Sequence, residues 1–406
     1  MTACRICEGV VEEFLDLGPQ PLPDAFLRPG DTDGEYFHRL AVGRCASCTV
    51  VQLTGEIPRE RVFHHDYPYR SAGSAAMREH FTRTALGFVE TELARAADPF
   101  FVEIGCNDGT LLRTIAESGV RHLGFEPSGG VADVAREKGA RVRTDFFEEA
   151  TAAALREAEG PADVIYSSDT ISQIPYTGSL LRGVDALLSA DGVFVFDDPY
   201  LRDMIEKTSF DQICNERFYL FSVRSVGAMA ERFGFELVDA ERLPTYGGGL
   251  RYTIARAGAR TPSPSVARLL AEENALGLAE SGVLEGFASS VLRIREDLTG
   301  LLKSLRESGK TVAGYGATAK SATVTNFCGI GPELVPYVCD TTPGKQHLLS
   351  PGMHIPVTPP ETFTSSYPDY ALLFAWNHAE EIMAKEQGFR EAGGKWIVYV
   401  PEVRVL

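Results

Sequence analysis

Short apolar runs recur between stretches of helical spacing over residues 100–256: Phe100–Ile104, His122–Glu126, Asp163–Ser167, Gly192–Phe196, then Glu236–Ala240 and Leu250–Ala255 close together. Such alternation predicts a parallel sheet flanked by helices, and the closing pair predicts an antiparallel finish at one edge. A helix is expected from near Ser74. After a turn-rich break at Ala257–Ser265, helical spacing continues to about Glu307, and the plan of strand, glycine turn and helix returns at Thr311–Lys320. Further strands are expected at Leu334–Val338, Tyr370–Phe374 and Trp396–Val400. The stretch Leu15–Leu27 is rich in proline and turns. It predicts little helix or sheet of its own and dependence on a metal for order.

A chain of 406 residues exceeds one typical core, and we expect units at 1–70, 71–260 and 261–406. The net charge of −17, with no basic cluster to offset it, argues against nucleic acid as a partner. No run of eighteen apolar residues and no charged-then-apolar leader occurs, which predicts a soluble cytoplasmic protein with no membrane partner. Four of the eight cysteines form two C-x-x-C pairs, Cys4 with Cys7 and Cys45 with Cys48. Four thiolates converging on one tetrahedral ion would make a closed, structural zinc site; reduced surface thiols or a redox pair are the alternative.

The chemistry centres on Phe100–Leu112, an apolar strand passing through Glu103 into a loop bracketed by Gly105 and Gly109, with Asn107 between them. The spacing fits neither G-x-G-x-x-G nor the phosphate loop, and Glu103 would repel a pyrophosphate, so a cationic ligand suits it better. The next strand ends at Glu126-Pro127, where open α/β sheets hydrogen-bond a ribose diol. Right-handed crossovers bring Gly105–Gly109, Glu126, Asp145–Phe147 and Ser168–Gln173 to one face. Acid, glycine loop and ribose acid together resemble the S-adenosylmethionine site of class I methyltransferases; the bland reading is an ordinary strand-to-helix turn. The resemblance implies cofactor contacts from Glu103, Gly105, Asn107, Gly109, Glu126, Pro127, Phe147, Ser168 and Tyr69. The connector Phe63–Ser71, holding His64, His65 and Tyr69, either folds over the cofactor as a lid or is a linker packed on the sheet. The later glycine turn, Gly314-Tyr315-Gly316, with Lys320 beside a helix start, is suited to phosphate.

Three motifs in one order resemble the three-domain sugar C-methyltransferases, which modify nucleotide-linked keto-deoxysugars in antibiotic pathways. These are the paired knuckles, Glu103–Leu112 with Glu126, and Gly314–Ala317 with Lys320, Asn326 and Pro351–Pro356. Most particular are Asp197-Asp198-Pro199-Tyr200 and Phe210–Ser222, with Tyr246–Arg251 like the family's sugar-contacting turn. The resemblance implies a class I methyltransferase domain flanked by a zinc module and a carboxy-terminal Rossmann-like α/β domain. It also implies substrate contacts from Lys320, Tyr315, Asn326 and Arg251. The family typically has Tyr-x-Glu-His where this chain has Cys214-Asn215-Glu216-Arg217, and a histidine at the positions of Gln173 and Tyr246. Carbon methylation needs a base beside the sugar ketone. Arg217 stays protonated and is expected to pair with a negative group of the substrate or stabilise an oxyanion. The remaining candidates are Glu216, Tyr219 and Tyr246, or His64 and His65. Two readings follow: a methyltransferase for a nucleotide-linked sugar or related small metabolite, or a methyltransferase fold turned to a non-methylating reaction or to binding with a partner protein.

Overall fold

The computed structural model describes residues 2–61 and 70–406, which build three sheets. The first is antiparallel: Thr2–Ala3 (β1), Val10–Pro21 (β2), Phe37–Cys45 (β3) and Val51–Leu53 (β4). This corrects the expectation for Leu15–Leu27, much of which lies in β2. Two register irregularities, at Glu13/Leu15 and Asp16/Pro19, absorb the turn-forming residues, and Gly18 takes φ +74° within the second. The prolines are tolerated because β1 pairs only with Val10 and Val11, which leaves the rest of that edge without a ladder partner. Leu15 and Leu17 are buried, so this segment has an apolar anchor besides any metal.

In the middle sheet Phe100–Ile104 (β5), Arg121–Phe125 (β6), Val142–Arg143 (β7), Ala162–Ser168 (β8) and Leu188–Pro199 (β9) run parallel in the order β9-β8-β5-β6-β7. The continuous burial of β5 is what a strand covered by helices on both faces requires. Tyr219–Leu220 (β10) leaves this region to pair with β4, so the middle of the chain completes the first sheet. Phe235–Leu243 (β11) and Gly249–Arg256 (β12) supply the antiparallel finish beside β9. Helix α1, Ala75–Glu90, starts where expected, with the Ser74 hydroxyl accepting from the Met77 amide. Helix α2, Thr110–Glu117, follows the glycine loop.

The third sheet takes the order β15-β14-β13-β16-β17-β18, with Val312–Tyr315 (β13), Val338–Cys339 (β14), Val357–Thr358 (β15), Tyr370–Leu373 (β16), Lys395–Val398 (β17) and Arg404–Val405 (β18). All pairs are parallel except β17 with β18. The strand expected over Leu334–Val338 begins only at Val338. Leu334 and Val335 both close turns on the Gly331 carbonyl, and Pro336 has no amide to offer a ladder. Ties from the first unit to the rest include, besides the β4–β10 pairing, a bridge between Leu27 and Leu349, Asp24 at 3.5 Å from Lys345, and Asn215 donating to the Pro21 carbonyl at 3.1 Å. Among the described residues no helix is long and apolar enough to cross a membrane.

One buried polar knot joins α1 to the middle sheet. Asp197, fully buried, accepts from Arg251 Nε at 2.7 Å and Nη2 at 2.8 Å and from the Tyr166 hydroxyl at 2.8 Å, with His80 Nε2 3.3 Å away. Burial alone would raise the Asp197 pKa, but the Arg251 charge and the bonds from His80 and Arg251 outweigh it and hold the carboxyl below its usual value. Arg251→Ala leaves that carboxylate buried without its cation and should cost about 3–5 kcal/mol in denaturant unfolding at pH 7. The loss should shrink toward acid pH, where Asp197 takes up a proton. A loss under about 1 kcal/mol at pH 7 would show that the knot is not structural.

Candidate active site

The glycine loop sits at the carboxyl end of β5, as the crossover rule requires. Gly105 and Gly109 both take φ +70° and Asn107 φ +48°. A Cβ on Gly105 would come within 2.6 Å of the Thr170 hydroxyl, so only glycine lets the loop lie this close to the turn after β8. Glu126 accepts from the Asn107 amide at 3.0 Å and the Ser128 amide at 2.9 Å, which locks the two strand ends together. Glu103 is 4 % exposed, and its Oε2 has no hydrogen-bond partner among the described residues. Burial, then the neighbouring Asp108 and Glu126, push its pKa well above the usual carboxylate range. Ser71, Phe81, Glu103, Gly105, Leu111 and Ser168 line the cleft at these strand ends. An unpaired buried acid, a cradle that a Cβ would fill and a second carboxylate one strand away form a donor set that fits an aminoacyl nucleoside bearing a positive charge. The structure thus gathers Glu103, Gly105, Asn107, Gly109, Glu126 and Ser168, with Pro127 beside them. Phe147 is buried edge-on against Phe125 behind the loop. Tyr69, His64 and His65 lie outside the described residues. The end of that connector does reach the site, since the Ser71 amide donates to Asn107 Oδ1 at 3.0 Å and the Ala72 amide to Asp108 Oδ2 at 3.2 Å.

The altered residues form a second cluster. Arg217 donates through Nη1 to Asp169 Oδ1 at 2.7 Å and Ser172 Oγ at 3.0 Å, and through Nε to the Gln212 carbonyl at 3.3 Å. Its negative partners are therefore the protein's own, Asp169 and Asp198, and not a group left for a substrate anion. Gln173 donates to the Asp169 carbonyl at 2.7 Å and so braces the same loop. Tyr246, at φ +60°, lies 2.6 Å from the Ser168 hydroxyl, at the edge of the first cluster. Glu216 is 8 % exposed and accepts no hydrogen bond from any described residue. Burial, then the Asp24 charge, pushes its pKa up to about 8. Tyr219 stands apart: its hydroxyl donates to the Pro175 carbonyl and shares a bond with Thr177, and its ring stacks on Phe221 in the core.

Of the expected substrate residues Lys320 stands near this second cluster, within the field of Asp169, Asp211 and Arg217. Its ammonium donates to Asn377 Oδ1 at 3.0 Å and sits 5.4 Å from the centre of the Trp376 ring, with Asp211 as the nearest opposing charge. Arg251 is held in the Asp197 knot. Tyr315 is buried in an aromatic cluster with its hydroxyl on Glu386, and Asn326 bonds the Ala322 and Pro351 carbonyls. All three are engaged by these structural partners. Asp169, Asp198, Asp211, Trp376 and Asn377 join the site without having been singled out as site residues. Asp198 and Asp211 lay inside motifs already noted; nothing in the sequence marks Trp376 or Asn377.

The four knuckle thiols lie within 4.8 Å of one another, and three are buried. That is a closed four-sulfur set with no open position.

Known proteins match the chain over nearly its full length. Family models match residues 4–63 (zinc binding domain), 77–240 (methyltransferase domain) and 244–401 (C-methyltransferase C-terminal domain). The C-methyltransferase NovU of Streptomyces niveus is 33% identical over 410 residues, spanning 99% of this chain and 96% of that protein. The chain belongs to the three-domain C-methyltransferase family. The methyltransferase and zinc binding domains call for S-adenosylmethionine and zinc, and the chain carries a cleft for the first and four converging thiols for the second. Among solved structures, the CcbJ methyltransferase of Streptomyces caelestis aligns with 17% identity over 48% of this chain and 95% of that one, at a TM-score of 0.36. Magnesium protoporphyrin IX methyltransferase of Synechocystis PCC 6803, with bound S-adenosylmethionine, aligns with 15% identity over 45% and 82%, at 0.33.

Elemental analysis of freshly purified protein should find about one zinc per chain, and Cys45→Ser should lose it. Less than about half an equivalent in the unmodified chain would contradict the four-thiolate site.

Proposed function

We propose that this enzyme methylates a carbon beside the ketone of a nucleotide-linked keto-deoxysugar in secondary metabolism, and that Glu216 is its base. The observation that carries the second half is the Glu216 carboxyl: buried, without a hydrogen bond among the described residues, and pushed up to about 8. A base must accept a proton near the working pH, and a carboxylate raised this far does so where an ordinary one would not. Cofactor contact falls to Glu103, Gly105, Asn107, Gly109 and Glu126, with Glu126 on the ribose diol and the Glu103 carboxylate toward the positively charged end. When bound, S-adenosylmethionine supplies an electrophilic methyl group.

The chain's own part is to make and hold the carbon nucleophile. Glu216 takes the proton beside the ketone, and the resulting enolate is kept from water by the closely packed segment around Cys214–Arg217. Arg217 fixes the loop after β8 through Asp169 and Ser172, which sets the distance between the base and the cofactor cleft. Lys320 offers its ammonium to the diphosphate; burial lowers its pKa, so an anion there also restores its charge. The sugar-nucleotide substrate rests on the motifs at Asp197–Tyr200 and Phe210–Ser222, and a reducing, cytoplasmic setting suits eight free cysteines.

Deuterium exchange separates the base from the rest. With a nucleotide-linked keto-deoxysugar in deuterated water, the α-hydrogen should wash out at a rate that climbs as pH approaches 8 and then levels, because only ionised Glu216 can accept the proton. Glu216→Gln should retain S-adenosylhomocysteine binding and lose exchange by about 10²- to 10⁴-fold. Exchange by that variant at the unmodified rate would remove Glu216 from the mechanism.

A further inference from the structure

Trp376 belongs to the third unit, yet its ring lies against the turn that holds Tyr246. A Cβ on Gly247 would come within 2.6 Å of the indole, so glycine at this position is what allows the ring to seat. The turn cannot keep its shape alone. Tyr246, Gly247 and Gly248 take φ +60°, +81° and +123° in succession, and the first of these is costly for a residue with a side chain. Support comes from Lys207, which donates to the Gly247 carbonyl, from Asp203 packed on Gly248, and from the indole. The indole is itself fixed from the middle unit. Its Nε1 donates to Asp211 Oδ2 at 2.6 Å, the same oxygen that accepts from the Tyr399 hydroxyl at 2.5 Å, and Asp211 is 1 % exposed. Beyond the turn, the Tyr246 hydroxyl meets Ser168 on the wall of the cofactor cleft. Lys320 stands 5.4 Å from the centre of the same ring.

We propose that Trp376, held by Asp211, is a positioning residue for Tyr246, through which the cofactor cleft and the Lys320 side of the substrate cleft sense one another. The proposal rests on the cofactor reading above. A ligand in the cleft that presses on Ser168 or Tyr246 must move the turn, and the turn cannot move without the indole it is packed on. Coupling of this kind is reciprocal, so a ligand at Lys320 would act on the cofactor cleft by the same amount.

The chain has only two tryptophans, Trp376 and Trp396, and Trp396 is buried in the third unit with an unpaired Nε1. Protein labelled with 5-fluorotryptophan therefore gives two fluorine resonances, assigned by W376F. Saturating S-adenosylhomocysteine, with affinity measured by calorimetry on the same sample, should shift the Trp376 resonance and leave that of Trp396 in place. In D211N, which keeps the size of the side chain and removes its charge, the Trp376 resonance should be displaced before ligand is added and should lose most of its response. A Trp376 resonance that stays put while calorimetry shows saturation would overturn the proposal and leave the cofactor reading standing. So would a full response in D211N. Absence of any binding heat would overturn both.

Discussion

A carboxylate taken out of water must find a cation or hydrogen-bond donors, or else take up a proton. Among the carboxylates buried around the carboxyl edge of the middle sheet are Glu103, Glu126, Asp197, Asp198, Asp211 and Glu216. What each has beside it sorts structure from chemistry. Asp197 has Arg251, Tyr166 and His80; Asp198 has the Ser172 hydroxyl at 2.6 Å and amide at 3.2 Å; Asp211 has Trp376 and Tyr399; Glu126 has two backbone amides. Glu103 keeps one oxygen unpaired, and Glu216 accepts nothing from the described residues. Asp211 also keeps one oxygen, Oδ1, unpaired among the described residues, since both of its donors sit on Oδ2. Ligand and proton chemistry are assigned to Glu103 and Glu216.

The same sorting bears on the arginine expected at a histidine's place. A histidine beside Glu216 would itself be the base. Arginine there cannot take a proton, and here it turns inward to Asp169 and Ser172. Its charge lowers the Glu216 pKa only in part, since burial and the Asp24 charge act the other way and prevail. On the proposal above, the base is Glu216, one residue before Arg217. Asp24 comes from the first unit and is held by Lys345 of the third, so all three units shape this one titration.

The strands of the middle sheet were legible because a strand buried on both faces reads as a continuous apolar run. The cofactor loop was legible because glycine spacing and two acids lie within one short stretch. The first sheet was hidden by prolines that bulges and a partnerless edge accommodate, which only pairing reveals. The functions expected of Arg251, Tyr315 and Asn326 depended on which way a side chain leaves its element, and that is set by packing partners far along the chain: Asp197, Glu386 and Pro351. Trp376 shows the opposite limit. Nothing near it in sequence announces that it will cross to another unit and seat on Gly247.

The central claim is that the strand ends at Glu103 and Glu126 hold S-adenosylmethionine. Titration calorimetry of S-adenosylhomocysteine into the unmodified enzyme and into Glu126→Ala tests it most directly. A carboxylate accepting both ribose hydroxyls is a charge-assisted, two-point contact, so the variant should bind about ten- to a hundredfold more weakly. Equal affinity in the two proteins would contradict the assignment.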